Sequence, residues 1–366
     1  MKLAGVELRR IHMPLVTPFR TSFGTEIDRE VLLVRVFGDE VEGWGECVAA
    51  VDPLYSAEYV NGDEQVIRDF LLPRLPADVT ARGLGAVFEP VRGHPMAKAA
   101  VEMAVLDAEL RLSGMSYAAY LGATRTRVPA GVSVGIMDSI PELLDAVAAY
   151  LQQGYARIKL KIKPGWDLEP VRAVRERFGD ILLQVDANAA YRRADLRHLA
   201  ALDPFGLLLI EQPLPEDDLL GHARLAQALA TPICLDESIV SARAAADAIT
   251  LGACSIVNVK AGRVGGYLEA RRIHDLCAAH GVPVWCGGML ETGLGRAANL
   301  AFAALPGCTL PGDVSASDRY YTRDLTEPFR LVDGLMSVPS GPGLGVAPLP
   351  DVLHEFTERT DVVRLP

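Results

Sequence analysis

Five ionisable residues recur through the middle of the chain at an almost constant interval. Lys161, Asp186, Glu211 and Asp236 follow one another at 25-residue steps, and Lys260 comes 24 residues after Asp236. Each stands at the C-terminal end of a short apolar, β-rich run. If those runs are parallel barrel strands, their C-terminal ends share one face, which places a base, three acids and a second base around one rim. Three carboxylates brought together repel unless a cation compensates them, so the spacing points to a divalent metal. Oxygen-only ligands favour a hard ion, Mg²⁺ first and Mn²⁺ or another divalent ion second. One such carboxylate by itself would as readily cap the next helix. Three in register between lysines are better explained by a metal site. A lysine on each side of a metal-bound carbon acid can take a proton from one face and return it to the other.

The run 157–163 alternates strictly, which puts Lys159 and Lys161 on one side and Ile158, Leu160 and Ile162 on the other. The aliphatic side suits a helix layer and the basic side the barrel mouth. An ammonium beside another ammonium has its pKa lowered, so Lys161 is expected to be partly neutral and usable as a general base.

The elements that must carry these residues are legible as a change of texture. From 128 onward, runs at 131–136, 157–162, 182–185, 207–210, 233–235, 256–259 and 282–285 alternate with helix-period segments. Repeated strand–helix units imply parallel strands joined by crossovers, and seven of them favour a closed α/β barrel, one unit abbreviated, over an open sheet. Before them, strands at 6–13, 31–36 and 43–49 and helices at 56–72 and 96–112 make an α+β unit. The polar segment 17–25, with Phe19, Arg20 and Phe23, reads either as a surface loop or as a lid. The chain thus divides into a 1–125 α+β domain, a 126–315 barrel and a 316–366 segment, rich in Pro and Gly around 339–345, that folds back over the first domain.

Composition narrows the chemistry. The 366 residues are too many for one small domain, and half of them are apolar, so the chain folds around a substantial core. A net charge of −11 disfavours nucleic acid and anionic membrane surfaces. Cys47, Cys234, Cys254, Cys277, Cys286 and Cys308 are scattered without zinc-site spacing, as reduced thiols of a cytoplasmic protein would be. The first ten residues lack the apolar centre of a signal peptide, and no apolar run approaches a membrane span. The expectation is a soluble protein that is not exported.

The series Lys-x-Lys, Asp, Glu, Asp, Lys on successive strands resembles the enolase superfamily in its muconate-lactonizing-enzyme arrangement. More narrowly, Arg157-Ile158-Lys159-Leu160-Lys161-Ile162-Lys163-Pro164-Gly165-Trp166-Asp167, Gln184-Val185-Asp186-Ala187-Asn188, Ile210-Glu211-Gln212-Pro213-Leu214, Cys234-Leu235-Asp236-Glu237-Ser238 and Trp285-Cys286-Gly287-Gly288-Met289-Leu290-Glu291-Thr292-Gly293 are similar to the o-succinylbenzoate synthase and N-acylamino acid (N-succinylamino acid) racemase family. The resemblance implies a modified TIM barrel, (β/α)₇β, under an α+β N-terminal capping domain. It implies Mg²⁺ on Asp186, Glu211 and Asp236, acid and base roles for Lys161 and Lys260, electrostatic help from Lys159, and a homo-oligomer. It also implies substrate contacts from Phe19, Arg20, Ser22 and Phe23, from Ser133, and from Gly288, Met289 and Leu290; Asn188, two residues past Asp186, joins them if strand geometry persists and it shares that face. Arg20 is the candidate neighbour of a succinyl carboxylate, and Arg263 stands where it can tune Lys260.

The family reaction enolises a small-molecule carboxylate. Return of the proton from the opposite lysine racemises an N-acylamino acid; loss of a β-hydroxyl gives o-succinylbenzoate, the menaquinone-pathway product. None of the seven histidines follows a late strand, where a mandelate-racemase-type base would be, and Asp313-Val314-Ser315-Ala316 lacks the Asp-x-Asp feature of a dipeptide epimerase. Two other readings compete: a Schiff-base lyase, trapped by borohydride and indifferent to chelators, and a barrel that binds a carboxylate without exchanging its α-proton.

Overall fold

A computed structural model describes residues 1–76 and 78–365. Strands β1 (Gly5–Arg20), β2 (Thr25–Phe37) and β3 (Glu42–Cys47) form an antiparallel meander. Val6, Leu8, Ile11 and Met13 of β1 and Val31 to Val34 of β2 are buried in its core. The β1–β2 hairpin runs on through the segment expected to be a lid. Phe19 pairs with Glu26 and Arg20 with Thr25, so the turn shrinks to 21–24, closed by Thr21 N donating to Gly24 O. Thr17, Phe19 and Thr21 before Gly24 and Thr25 and Ile27 after it suit a pleated ribbon, which is why the strands persist.

Helices α1 (Val60–Val66), α2 (Ala81–Phe88), α3 (Pro95–Ser113) and α4 (Tyr117–Leu121) complete this domain. The expected helix at 56–72 begins later, widens into a π turn at Ile67–Leu71 and tightens into a 3₁₀ turn at Leu72–Arg74. Helix α3 ends at Gly114 in the left-handed cap conformation, φ 69°. It lies against β3 backbone to backbone: a Cβ at Gly45 would stand 2.1 Å from Ala100 O, and one at Gly43 2.2 Å from Ala104 O. Glycines on the strand and alanines on the helix are what this approach requires.

After β4 (Arg127–Pro129) come the barrel staves β5 (Gly131–Val134), β6 (Arg157–Lys161), β7 (Leu183–Asp186), β8 (Ile210–Glu211), β9 (Ile233–Leu235), β10 (Ile256–Val259) and β11 (Val284–Cys286). They hydrogen-bond in that order, all parallel. Between them lie α5 (Ile140–Gln153), α6 (Leu168–Phe178), α7 (Leu196–Ala200), α8 (Leu219–Ala228), α9 (Ala242–Leu251) and α10 (Tyr267–Ala279), and α11 (Gly293–Ala303) follows β11. Segment 308–313 closes the circle. Asp313 N donates to Cys286 O (2.8 Å) on one side, and Gly131 N donates to Gly312 O (2.7 Å) on the other. This short stave is the abbreviated eighth unit, and the architecture is a modified TIM barrel under an α+β capping domain.

The chain then pairs β12 (Leu331–Val332) and β13 (Leu335–Ser337) with β4, and passes through α12 (Pro350–Phe356) into β14 (Thr357–Arg364). That last strand lies antiparallel to β1, from Gly5 opposite Arg364. All six cysteines are buried and unbridged. Among the described residues, no helix is long and apolar enough to cross a membrane.

Candidate active site

Strand register decides which side chains meet. Lys161 of β6 pairs with Asp186 of β7, and Asp186 with Glu211 of β8, so these three are lateral neighbours. Glu211 then pairs with Cys234, which leaves Asp236 two residues further along its own stave. A stagger of two preserves the inward face while following the tilt of the barrel. Lys260 follows β10, so the two lysines stand on either side of the three acids. Asp186, Glu211 and Asp236 are all 0% exposed.

The ammonium groups lie among the carboxylates. Lys161 Nζ donates to Asp186 Oδ2 and to Asn188 Oδ1, both at 2.7 Å. Lys159 Nζ is 2.6 Å from Asp313 Oδ2, 3.1 Å from Glu211 Oε2 and 3.3 Å from Asp186 Oδ2, with the Trp285 ring centroid at 4.9 Å. Lys260 Nζ is 2.8 Å from Asp236 Oδ2. Arg263 holds the other oxygen of Asp236 at 3.0 Å and also reaches the Asp236 carbonyl.

Burial by itself disfavours every one of these charges. At Lys159 and Lys260 the surrounding carboxylates outweigh it and raise the pKa. Burial is likewise overcome at Asp186, lowered by Lys161 and Lys159, and at Asp236, held below the ordinary range by Lys260 and Arg263. Glu211 is different: burial and the charge on Asp186 push it up to about 7.

The donor set suits a hard dication. It is all oxygen and fully buried, and Glu237 Oε2 and Asn258 Oδ1 beside it are buried without hydrogen-bond partners. With lysines interposed, the three acids do not bring one oxygen each within 4.8 Å of the others. An ion drawn between them therefore has to loosen the lysine–carboxylate contacts.

Above this floor is a cavity of about 590 Å³. Lys159, Lys161, Lys260, Ser133, Asn188, Phe19, Phe23, Gly288, Met289 and Leu290 line it, as the sequence suggests. Gly288 is confined to glycine by packing, since a Cβ there would stand 2.7 Å from Asp313 O. Arg20 and Ser22 are not among the lining residues. Because the hairpin stays extended through residue 20, Phe19 and Thr21 turn inward and Arg20 outward, where Nη1 pairs with Asp138 Oδ1 at 2.6 Å. Ser22 Oγ instead donates to Ala187 O at 3.1 Å and pins the hairpin tip to the barrel.

The cavity also recruits residues that no motif announces. Tyr55, in the segment between β3 and α1, accepts from Lys260 Nζ (2.9 Å), donates to Asp236 Oδ2 (3.1 Å) and packs on Phe23 at 5.7 Å between centroids. Asp313 on the closing stave, Tyr320, Glu26, Arg29, Thr21 and Ala50 complete the lining. The seven strand runs read from the sequence stop at 285, before Asp313, and no sequence signal points to Tyr55.

Comparison with known proteins agrees with this architecture. Residues 4–122 match the mandelate racemase / muconate lactonizing enzyme N-terminal domain, and residues 142–352 match the enolase C-terminal domain-like family. The chain is 68% identical over 360 residues to an N-succinylamino acid racemase of Amycolatopsis sp, covering 98% of each. It is 49% identical over 349 residues to an o-succinylbenzoate synthase of Geobacillus kaustophilus, covering 93% of this chain and 92% of that one. A crystal structure of an enolase-superfamily member from Listeria innocua superposes with a TM-score of 0.96 at 38% identity over the full length of both chains. The two matched domains and these relatives make the chain a member of the enolase superfamily, in its mandelate racemase / muconate lactonizing enzyme branch.

Proposed function

We propose that this protein is a divalent-metal-dependent enzyme that enolises N-succinylamino acids, as a racemase, and that the same site serves o-succinylbenzoate synthesis. One observation carries the reading: Lys161 and Lys260, both lining one cavity, flank three fully buried carboxylates. Asp186, Glu211 and Asp236 would hold Mg²⁺, or Mn²⁺ in its place. When bound, the ion supplies positive charge beside the substrate carboxylate, which makes the α-proton removable.

The chain's own residues account for the remaining requirements. Lys161 takes the α-proton from one face and Lys260 delivers one to the other. Lys159, buried and charged, stabilises the negative charge that develops on deprotonation. Asn188 fixes Lys161 and Tyr55 fixes Lys260, each by one hydrogen bond. Phe19 and Phe23 exclude water, while Met289 and Leu290 wall the side-chain or acyl pocket. In this reading residues 1–125 and the returning 316–366 segment cap the 126–315 barrel. A substrate succinyl carboxylate has to find a partner other than Arg20 as it stands here.

For the synthase reaction the substrate is 2-succinyl-6-hydroxy-2,4-cyclohexadiene-1-carboxylate, and Lys161 both abstracts and donates while Lys260 stands opposite as a cation. The deciding experiment is N-succinyl-L-phenylalanine with enzyme and Mg²⁺ in D₂O. The expected result is α-deuteration with decay of optical rotation; loss of neither signal's starting value over long incubation would remove the racemase reading. Borohydride should trap nothing.

A further inference from the structure

Away from the barrel, the capping domain gathers Glu58, Asp63 of α1 and His94, the residue before α3, so that one donor atom from each lies within 4.8 Å of the others. We propose that these three residues form a second divalent-cation site, of the mixed nitrogen and oxygen type that suits Zn²⁺ or Co²⁺.

The geometry of one pair carries the argument. Asp63 Oδ1 and His94 Nδ1 are 3.5 Å apart, and neither makes a hydrogen bond. That separation is long for a hydrogen bond, and it is close to the edge of a tetrahedron built on metal bonds of about 2.1 Å. Asp63 is 0% exposed, so leaving its oxygen unpaired costs roughly 1–3 kcal/mol. His94 sits at φ 54°, a left-handed conformation unusual for a side-chain-bearing residue, and its side chain makes no capping bond to α3. The strain turns the ring toward Asp63, while its partial exposure leaves an entry path.

The remaining ligand is oriented from behind. Glu58 accepts from Met96 N (2.8 Å) and Ala97 N (3.2 Å), which fixes its carboxylate at the head of α3. Cys47 Sγ donates to Asp63 Oδ2 at 3.3 Å, which holds that carboxylate with its other oxygen toward His94. Cys47 and Glu58 bound the segment 48–57, which carries Ala50 and Tyr55 into the active-site cavity. A cation here would fasten the base of that segment without touching the barrel carboxylates.

The test is titration of the full chain with Co²⁺ in excess Mg²⁺, following visible absorption and bound metal after gel filtration. His94→Gly removes a ligand and relieves the left-handed strain, so it should fold at least as well as the parent. The expected result is one more equivalent of Co²⁺ in the parent than in His94→Gly, with tetrahedral absorption lost in the variant and Mg²⁺-supported turnover unchanged. Asp63→Asn should lose the same equivalent. Equal Co²⁺ uptake by the parent and His94→Gly would overturn the proposal.

Discussion

Asp313 Oδ2 stands 2.6 Å from Lys159 Nζ, while its other oxygen accepts from Arg157 Nη1 at 2.8 Å. The closing stave of the barrel is thereby joined to two of the three inward cations of β6, and all of these groups are buried. Lys159 and Arg157 in turn outweigh the effect of burial and hold Asp313 well below the usual carboxylate range. Lys159 is thus aimed by a residue outside the 25-residue series.

Asp313→Asn should lower kcat about 10- to 100-fold, the usual scale for a residue that orients a functional group, with a smaller change in KM. Removing one partner of a buried pair should also cost about 3 kcal/mol of stability. Steady-state kinetics beside thermal unfolding separate the two effects, and an unchanged kcat would show that Lys159 needs no such support.

Lys161→Ala and Lys260→Ala should each reduce racemisation by about 10²- to 10⁴-fold, the scale of general acid–base catalysis. The residual chemistry distinguishes them. With one lysine left, the α-proton of a single enantiomer should still exchange in D₂O without inversion, and the two variants should prefer opposite enantiomers. NMR of each enantiomer reads this directly; full racemisation by either variant contradicts the two-base assignment.

Chelation with EDTA should abolish turnover, and Mg²⁺ should restore it. Asp236→Asn should raise the Mg²⁺ concentration for half-maximal activity by about 10-fold or more while lowering the maximum, because Asp236 also anchors Lys260 and Arg263. A Mg²⁺ titration of the deuterium-exchange rate is the check.

Glu46 of β3 joins the capping sheet to the head of α11, accepting from Thr292 N (2.9 Å), Thr292 Oγ1 (2.6 Å) and Gly295 N (3.0 Å). Burial, with Glu291 nearby, pushes its pKa from 4.5 up to about 7. The folded protein therefore binds this proton more tightly than the unfolded chain. The contribution to stability is fullest below pH 4.5 and is lost as pH rises to about 7, on the order of 3 kcal/mol in all. Glu46→Gln keeps an acceptor and removes the ionisation, so its melting temperature should fall less than the parent's between pH 5 and about 8. Equal slopes in the two proteins would rule out Glu46 as the titrating group.

Local pattern was enough to determine the barrel staves and which ionisable residues stand at their ends. The two-residue period of β6 fixes the side on which Lys159 and Lys161 lie, and the interval from Lys161 to Asp186 to Glu211 is one strand–helix unit, so neighbours in the pattern became neighbours in space. Tertiary structure decided what no local period encodes. Whether residues 17–25 loop or pair depends on the partner strand: pairing through Arg20 sent that side chain out to Asp138 and left Phe19 within. Tyr55 reaches Lys260 across 205 positions, and Asp313 reaches Lys159 only because a short, irregular stave closes the circle. Such contacts depend on how the cap docks and how the barrel shuts, and the free energy that fixes both comes from packing between segments far apart in the chain.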